Sequence, residues 1–535
     1  VRRRAAAPLA AFVAALLFVG LAAAPASAHA VLVLTDPPAG AVLDRAPAAV
    51  SLRFGEPVEA SFGAIRVYDA AARRVDDGAV RHPAGHGDTV AVALRPLAEG
   101  AYVVTWRVIS ADSHPVHGAF TFRVGHGTGG DEQALAARLL AQQGGSAAVG
   151  GAFAVVRWLA FAALVLLVGG AAFVVLCRPA ADTRRLLTWA AAGVAVTALL
   201  GIALQGPYAA ALPARDAVRP AVLRAVLGTR FGRAWAARGV LALVAVPLVR
   251  RLPRTRWAAA AVAVLLLGTA AVSGHASVGS LAPLVVASDV VHLGAASLWV
   301  GGLALLLGLV LRRAPVDEAA EVVGRFSPLA FGAVVVIAVT GTFQSWREVG
   351  SFGALLHTTY GHLLLAKIAG FVVLVALGSV GRRWVRDRPA RDLRTIRRSV
   401  GAEVVVAAAV LAFTALLVNA APAKTAYARP FAATLTSGEL SVNVVVDPAK
   451  AGRTDIHVYT LTTSGGIKEV AELTGALRLP AQDIGPIAVT FTRAGPGHFS
   501  AYAIDIPIPG RWSLDLTVRT SEFDESTVTT PLPIH

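Results

Sequence analysis

Between residues 151 and 419 lie eight apolar runs, each close to the roughly 20 residues that a bilayer crossing takes. They fall at 151–177, 186–206, 234–249, 257–274, 284–311, 328–345, 361–380 and 401–419, the third and fourth being short. Inside a bilayer each run must satisfy its own backbone polar groups, so each reads as a helix. These runs account for a chain of 535 residues that is 56% hydrophobic and only 15% charged, against about 25% charged in an average soluble protein.

The loops between the runs set the expected topology. Arg178, Arg184 and Arg185 follow the first run; Arg250, Arg251, Arg254 and Arg256 follow the third; Arg312 and Arg313 follow the fifth. A long basic stretch from Arg382 to Arg398 follows the seventh. Basic loops stay in the cytoplasm, so both ends of an eight-helix bundle are expected outside. The formal net charge of +16 therefore reads as topology, and no nucleic-acid partner is expected. One loop runs against this pattern: 207–233 carries five arginines and reads as an amphipathic helix on the outer surface. Arg157, near the outer end of the first run, is expected to snorkel.

Upstream, Arg2-Arg3-Arg4, an apolar stretch and Ala26-Ser27-Ala28 have the form of a secretory signal peptide cut after Ala28. This agrees with an outer N-terminus. His29 then opens the mature chain. Its free α-amine, with an ordinary pKa near 8, and its imidazole can chelate one metal ion together; the alternative is that His29 merely happens to be the first residue after the cut. Residues 29–125 alternate apolar and polar in short stretches such as Ala49–Phe54 and Ala64–Tyr68. Tyr102, Val104, Trp106 and Val108 share one strand face, with Thr105 and Arg107 on the other. Asp36-Pro37-Pro38 and Asp76-Asp77-Gly78 mark turns. A β-sandwich or Greek-key barrel is expected. A Gly-rich linker at 126–150 joins it to the membrane region, 151–420.

Residues 421–535 read as a second β-sandwich, with strands at Leu440–Val446, Asp455–Tyr459, Phe499–Ile504 and Trp512–Leu516. No clustered His, Cys or carboxylates are evident there, so this part reads as a binding or scaffolding module. The fold class expected is a multi-domain membrane protein with two all-β domains flanking an eight-helix bundle. The lone Cys177 permits no internal disulfide.

Two sets of residues carry candidate chemistry. After the Trp106 strand comes Ser110-Ala111-Asp112-Ser113-His114-Pro115-Val116-His117-Gly118. Asp112 and His114 share a face if the strand continues; the alternative is an ordinary polar turn. With His29 they would supply two imidazoles, an amine and a carboxylate, a set that suits Cu(II). The chain has no methionine, so thioether ligands for Cu(I) are lacking.

The second set lies in the membrane runs: His275, then Asp289 and His292 three residues apart on one face, Trp299 one heptad on, and Tyr360 and Lys367 at the start of the seventh run. Ionisable residues inside a membrane mark function or interhelical pairing, and position alone leaves both readings open.

Residues 29–124 resemble the CopC family of extracytoplasmic copper proteins. The resemblance rests on His29-Ala30, Asp36-Pro37-Pro38-Ala39-Gly40, Leu52-Arg53-Phe54 and the Ser110–Gly118 motif. It implies Cu(II) ligation by His29, Asp112 and His114, and an extracytoplasmic copper chaperone as a possible partner. The run from Trp158 to about Asn419 resembles the CopD family of inner-membrane copper proteins. This rests on Gly274-His275-Ala276, His292 with Leu298-Trp299-Val300-Gly301-Gly302-Leu303, and Tyr360–Lys367. Together the resemblances imply copper capture outside the cell and copper import, tolerance or homeostasis in the cytoplasmic membrane, with no enzymatic activity. Two other classes are weighed. An N-terminal-histidine copper site could perform redox chemistry, which a carboxylate ligand disfavours. A haem-binding electron-transfer bundle would need histidine pairs on facing helices.

Overall fold

The computed structural model describes residues 32–60, 64–110, 115–125, 132–142, 146–274, 282–387, 393–420, 422–427, 431–438, 440–462, 467–495, 497–521 and 524–535. The N-terminal part is β-rich, with strands β1 (Leu32–Asp36), β2 (Val42–Leu43), β3 (Ala49–Phe54), β4 (Val58–Glu59), β5 (Ile65–Asp69), β6 (Thr89–Ala93), β7 (Gly100–Ser110) and β8 (Pro115–Val124). One sheet has the order β1-β3-β6; the other runs β2-β8-β7-β4, with β5 also paired to β7. Alternation in β3 buries Val50, Leu52 and Phe54 and leaves Ala49 and Arg53 exposed. β7 departs from the two-faced strand expected, because both of its faces are covered. Val103 packs under Leu135 and Leu139 of helix α1 (Glu132–Gln142), which closes the face opposite Trp106. Trp106 meets Phe54 edge-on at 5.3 Å. Gly118 lies flat against the Trp106 indole, where a Cβ would come within 2.6 Å of the ring.

Asp76 is more than a turn residue. Its carboxylate is buried, accepts from the amides of Val67 and Gly78 at 2.9 Å, and takes a two-pronged contact from Arg74. Burial works to raise this carboxyl, but Arg74 and the two amides together hold it below the ordinary carboxylate value.

The helical part comprises α2 (Ala147–Cys177), α3 (Arg184–Ala210), α4 (Pro220–Gly228), α5 (Arg230–Val249), α6 (Arg256–Ala271), α7 (Ala282–Ala296), α8 (Val316–Val349), α9 (Phe352–His357), α10 (Thr359–Asp387) and α11 (Leu393–Leu417). Among the described residues, seven helices are long and apolar enough to cross a membrane; α6 is apolar but shorter. The sixth run, expected at 328–345, proves to be the core of the 34-residue α8. Its extra N-terminal turns are amphipathic: Ala319, Val322, Val323 and Phe326 form a buried stripe that continues the helix past the apolar run. The arginine-rich loop does contain a short helix, α4, whose Val226 is buried.

α7 continues to Arg313 through two π-helical stretches, Ser297–Gly301 and Leu306–Val310. Glycines bring it against α2 backbone to backbone. A Cβ on Gly169 would overlap the Ser297 carbonyl, and one on Gly301 would overlap the Val165 carbonyl. Arg157 does not snorkel. It is buried, lies 4.6 Å over the Phe153 ring and 5.7 Å over Phe231, and donates to the Val418 carbonyl. Aromatic faces here replace the water that a snorkelling guanidinium seeks.

The C-terminal part is again β-rich: β9 (Phe431–Ser437), β10 (Leu440–Asp447), β11 (Gly452–Thr462), β12 (Glu472–Leu479), β13 (Ile484–Thr490), β14 (Thr492–Gly495), β15 (His498–Ile506), β16 (Gly510–Arg519) and β17 (Glu525–Ile534). Its sheets run β14-β15-β11-β10-β9 and β13-β12-β16-β17. Val444, Val458 and Phe499 of the first share one core with Leu477, Trp512 and Leu514 of the second.

Candidate functional site

His29, Asp112, His114 and His275 lie outside the described residues. The other candidates lie in the helical part, on α7 and α10, and α8 joins them. His292 on α7 holds Thr340 on α8, Nδ1 to Oγ1 at 2.8 Å. The Thr340 hydroxyl has one proton and gives it to the Val336 carbonyl at 2.6 Å. With the Thr340 proton on Val336, Nδ1 of His292 is the donor to Thr340 and Nε2 keeps its lone pair. An imidazole so oriented is held in place through one nitrogen. Gly341 makes room for the ring, since a Cβ there would touch Cε1 at 3.4 Å.

One turn earlier on α7, Asp289 lies within electrostatic reach of Lys367 on α10 and of Arg347 and Glu348 at the end of α8. Tyr360, buried at the start of α10, lies within reach of both acids, Asp289 and Glu348. Arg347 and Glu348 approach to 3.9 Å. Ser288 Oγ and Gln344 Nε2 are buried with no hydrogen-bond partner among the described residues. The cluster thus gathers two carboxylates, two cations, a phenol and an imidazole where three helices meet.

Trp299 stands about two turns along α7 from His292. It lies on the first π-helical stretch, buried and edge-on to Phe371 of α10 at 6.0 Å. There it lines a cavity of about 240 Å³ together with Phe326, Ser327, Ser399 and the buried Glu403. His362 uses Nε2 on the Leu356 carbonyl at 2.7 Å, and His292 uses Nδ1 on Thr340, so these two rings do not face each other as a pair.

Sequence reasoning missed Thr340, Gln344, Glu348 and Glu403. The first three stand at i, i+4 and i+8 on one face of α8, a polar stripe visible once the helix is carried past residue 345. It also missed a histidine cluster in the C-terminal part. The register of β11 with β15 sets His457 opposite Ser500, and Tyr459 opposite His498. His457 Nδ1 and His498 Nε2 then lie 3.3 Å apart.

Comparison with known proteins gives three family matches. Residues 32–125 match the CopC domain, 146–283 the N-terminal domain of the copper resistance protein D-like family, and 320–417 copper resistance protein D. Asp289, His292 and Trp299 fall between the last two; Thr340, Glu348, Tyr360, Lys367 and Glu403 fall within the last. The copper transport protein CutJ of Bacillus subtilis is 29% identical over 95% of this chain and 96% of its own length. Copper resistance protein C of Pseudomonas syringae pv. tomato is 33% identical over 19% of this chain and 86% of its own. The solved CopC of Methylosinus trichosporium OB3b matches 18% of this chain and 93% of its own at 33% identity, with a TM-score of 0.17.

Proposed function

The chain belongs to the copper resistance families as a CopC domain fused to a CopD-type membrane region, and from that premise we propose that it captures copper outside the cell and carries it inward across the cytoplasmic membrane. The capture site is the mature N-terminal His29, with Asp112 and His114, holding Cu(II). The membrane path begins at His275, Asp289 and His292 and continues past Trp299 to the Glu403 cavity. The observation that carries this reading is the imidazole of His292, fixed by Thr340 with Nε2 bare and a carboxylate one turn away.

In this reading Lys367, within electrostatic reach of Asp289, balances the carboxylate before copper arrives. Arriving copper displaces the ammonium and takes the carboxylate and Nε2. Few ligands mean weak holding, as a permeation path requires. Burial makes the exchange decisive, because an unneutralised carboxylate is costly at this depth. Sidedness is read from the basic loops, with α6 as the eighth crossing; its 16 residues span about 24 Å, which fits a locally thin bilayer. Two sheets around one core support a sandwich for the C-terminal domain, placed outside.

Cellular copper content tests the reading. Cells carrying the protein should hold more copper than cells lacking it, and His292→Ala at matched protein level should remove the excess. Equal content with and without the protein would sink the import reading.

A further inference from the structure

The C-terminal domain carries chemistry that capture and transport, as proposed above, do not use. In β11, Ile456 and Val458 enter the core, so His457 and Tyr459 point outward; in β15, Phe499 and Ala501 enter the core, so His498 and Tyr502 share the outward face of the sheet with Ser500. Three atoms converge there. His457 Nδ1 lies 3.3 Å from His498 Nε2 and 3.0 Å from Ser500 Oγ, and Ser500 Oγ lies 3.2 Å from His498 Nε2. A first-row metal ion at its usual ~2.0–2.1 Å from imidazole nitrogen sits over such a triangle within reach of all three corners.

The surroundings hold this arrangement in place. Tyr459 stacks on the His498 ring, with centroids 4.4 Å apart and planes 11° apart. Tyr502, exposed to solvent, stands edge-on to His457 at 5.8 Å. The pairing of β11 with β15 slips between Thr454 and Ile456, and Asp455 there accepts the amide of Ala503 at 2.8 Å. Ala503 has φ +54°, a left-handed conformation that an alanine adopts only under constraint. Bulges of this kind re-aim side chains beside sites.

We infer that His457 and His498, with the Ser500 hydroxyl beside them, form a second Cu(II) site of this protein, separate from His29, Asp112 and His114. Two imidazoles with oxygen ligands completing the shell suit Cu(II). The identity of the metal rests on the copper reading of the whole chain; the site itself rests on the triangle. It gives the C-terminal domain a task, holding copper on the same side of the membrane as the capture domain.

The test is Cu(II) titration of the full chain in detergent, read by bound equivalents and by EPR. His457→Gln and His498→Gln should each lose one equivalent, with affinity for it lowered about 100-fold, while unchanged melting temperatures certify the fold. His114→Ala should lose a different equivalent with its own spectrum. Wild-type stoichiometry and spectrum in both glutamine variants would overturn the site. If the histidine-dependent equivalent binds but cellular copper ignores the protein, the transport reading fails and this site stands.

Discussion

The helical part buries charge in two different ways. Arg157 and Arg238 sit among aromatic faces and neutral oxygens. Arg157 lies over Phe153 and Phe231; Arg238 lies 4.5 Å over Trp235 and gives Nε to the Thr269 hydroxyl at 3.0 Å. Across α7, α8 and α10 the buried charges are of both signs, and the imidazole among them keeps one nitrogen bare. A guanidinium cannot give up its proton and carries only donors, so the first arrangement can brace helices but cannot take a cation. The second contains acceptors, with Lys367 as a cation within electrostatic reach of Asp289. The two arrangements lie in the same helical part and differ in the chemistry of their partners.

The largest effect that would break this comparison is on transport. His292→Ala should lower copper accumulation about 100-fold at matched protein level, whereas Arg238→Gln at matched level should stay within twofold of wild type and lower the melting temperature instead. Equal losses in both variants would erase the distinction. A further bracing charge lies outside the bundle. Asp76→Asn should destabilise the CopC-like domain by about 2–3 kcal/mol, because the Arg74 contact and two amides lose their anion. Since the folded carboxyl lies below its ordinary value, its stabilisation is complete above pH 4 and is lost as pH falls below that. Denaturation of the wild type and the variant from pH 7 to pH 2 should therefore converge at the acid end; parallel curves would assign the stability elsewhere. The smallest effect sharpens the ligand assignment. Thr340→Val removes the acceptor that fixes Nδ1–H, and transport should fall about tenfold, with Thr340→Ser restoring most of it. A valine variant with full activity would mean that the tautomer is not held by this contact.

Much of this was legible in the sequence because it repeats. Apolar runs and basic loops located the helices, and alternation in Ala49–Phe54 located β3 and its buried face. Asp289 and His292 stood out as polar residues in an apolar run. Thr340 and Glu403 did not. A threonine can satisfy its own hydroxyl on the preceding turn, so nothing in the sequence distinguishes one that also holds a histidine. Glu403 reads as a residue near a basic loop until α11 turns it into the cavity. Trp299 keeps heptad spacing from His292 and meets Phe371, one turn along α10 from Lys367, but nothing in the sequence shows that it borders a cavity. His457 and His498 are 41 residues apart and meet only through strand register, with a bulge between them.

The central claim is that Asp289 and His292 carry copper and do not merely hold three helices together. The direct measurement is copper flux across proteoliposomes containing the purified full chain, with wild type, Asp289→Asn and Arg238→Gln reconstituted at equal folded protein. The account predicts flux in the wild type and in Arg238→Gln, and at least a tenfold loss in Asp289→Asn. Wild-type flux in Asp289→Asn would contradict it.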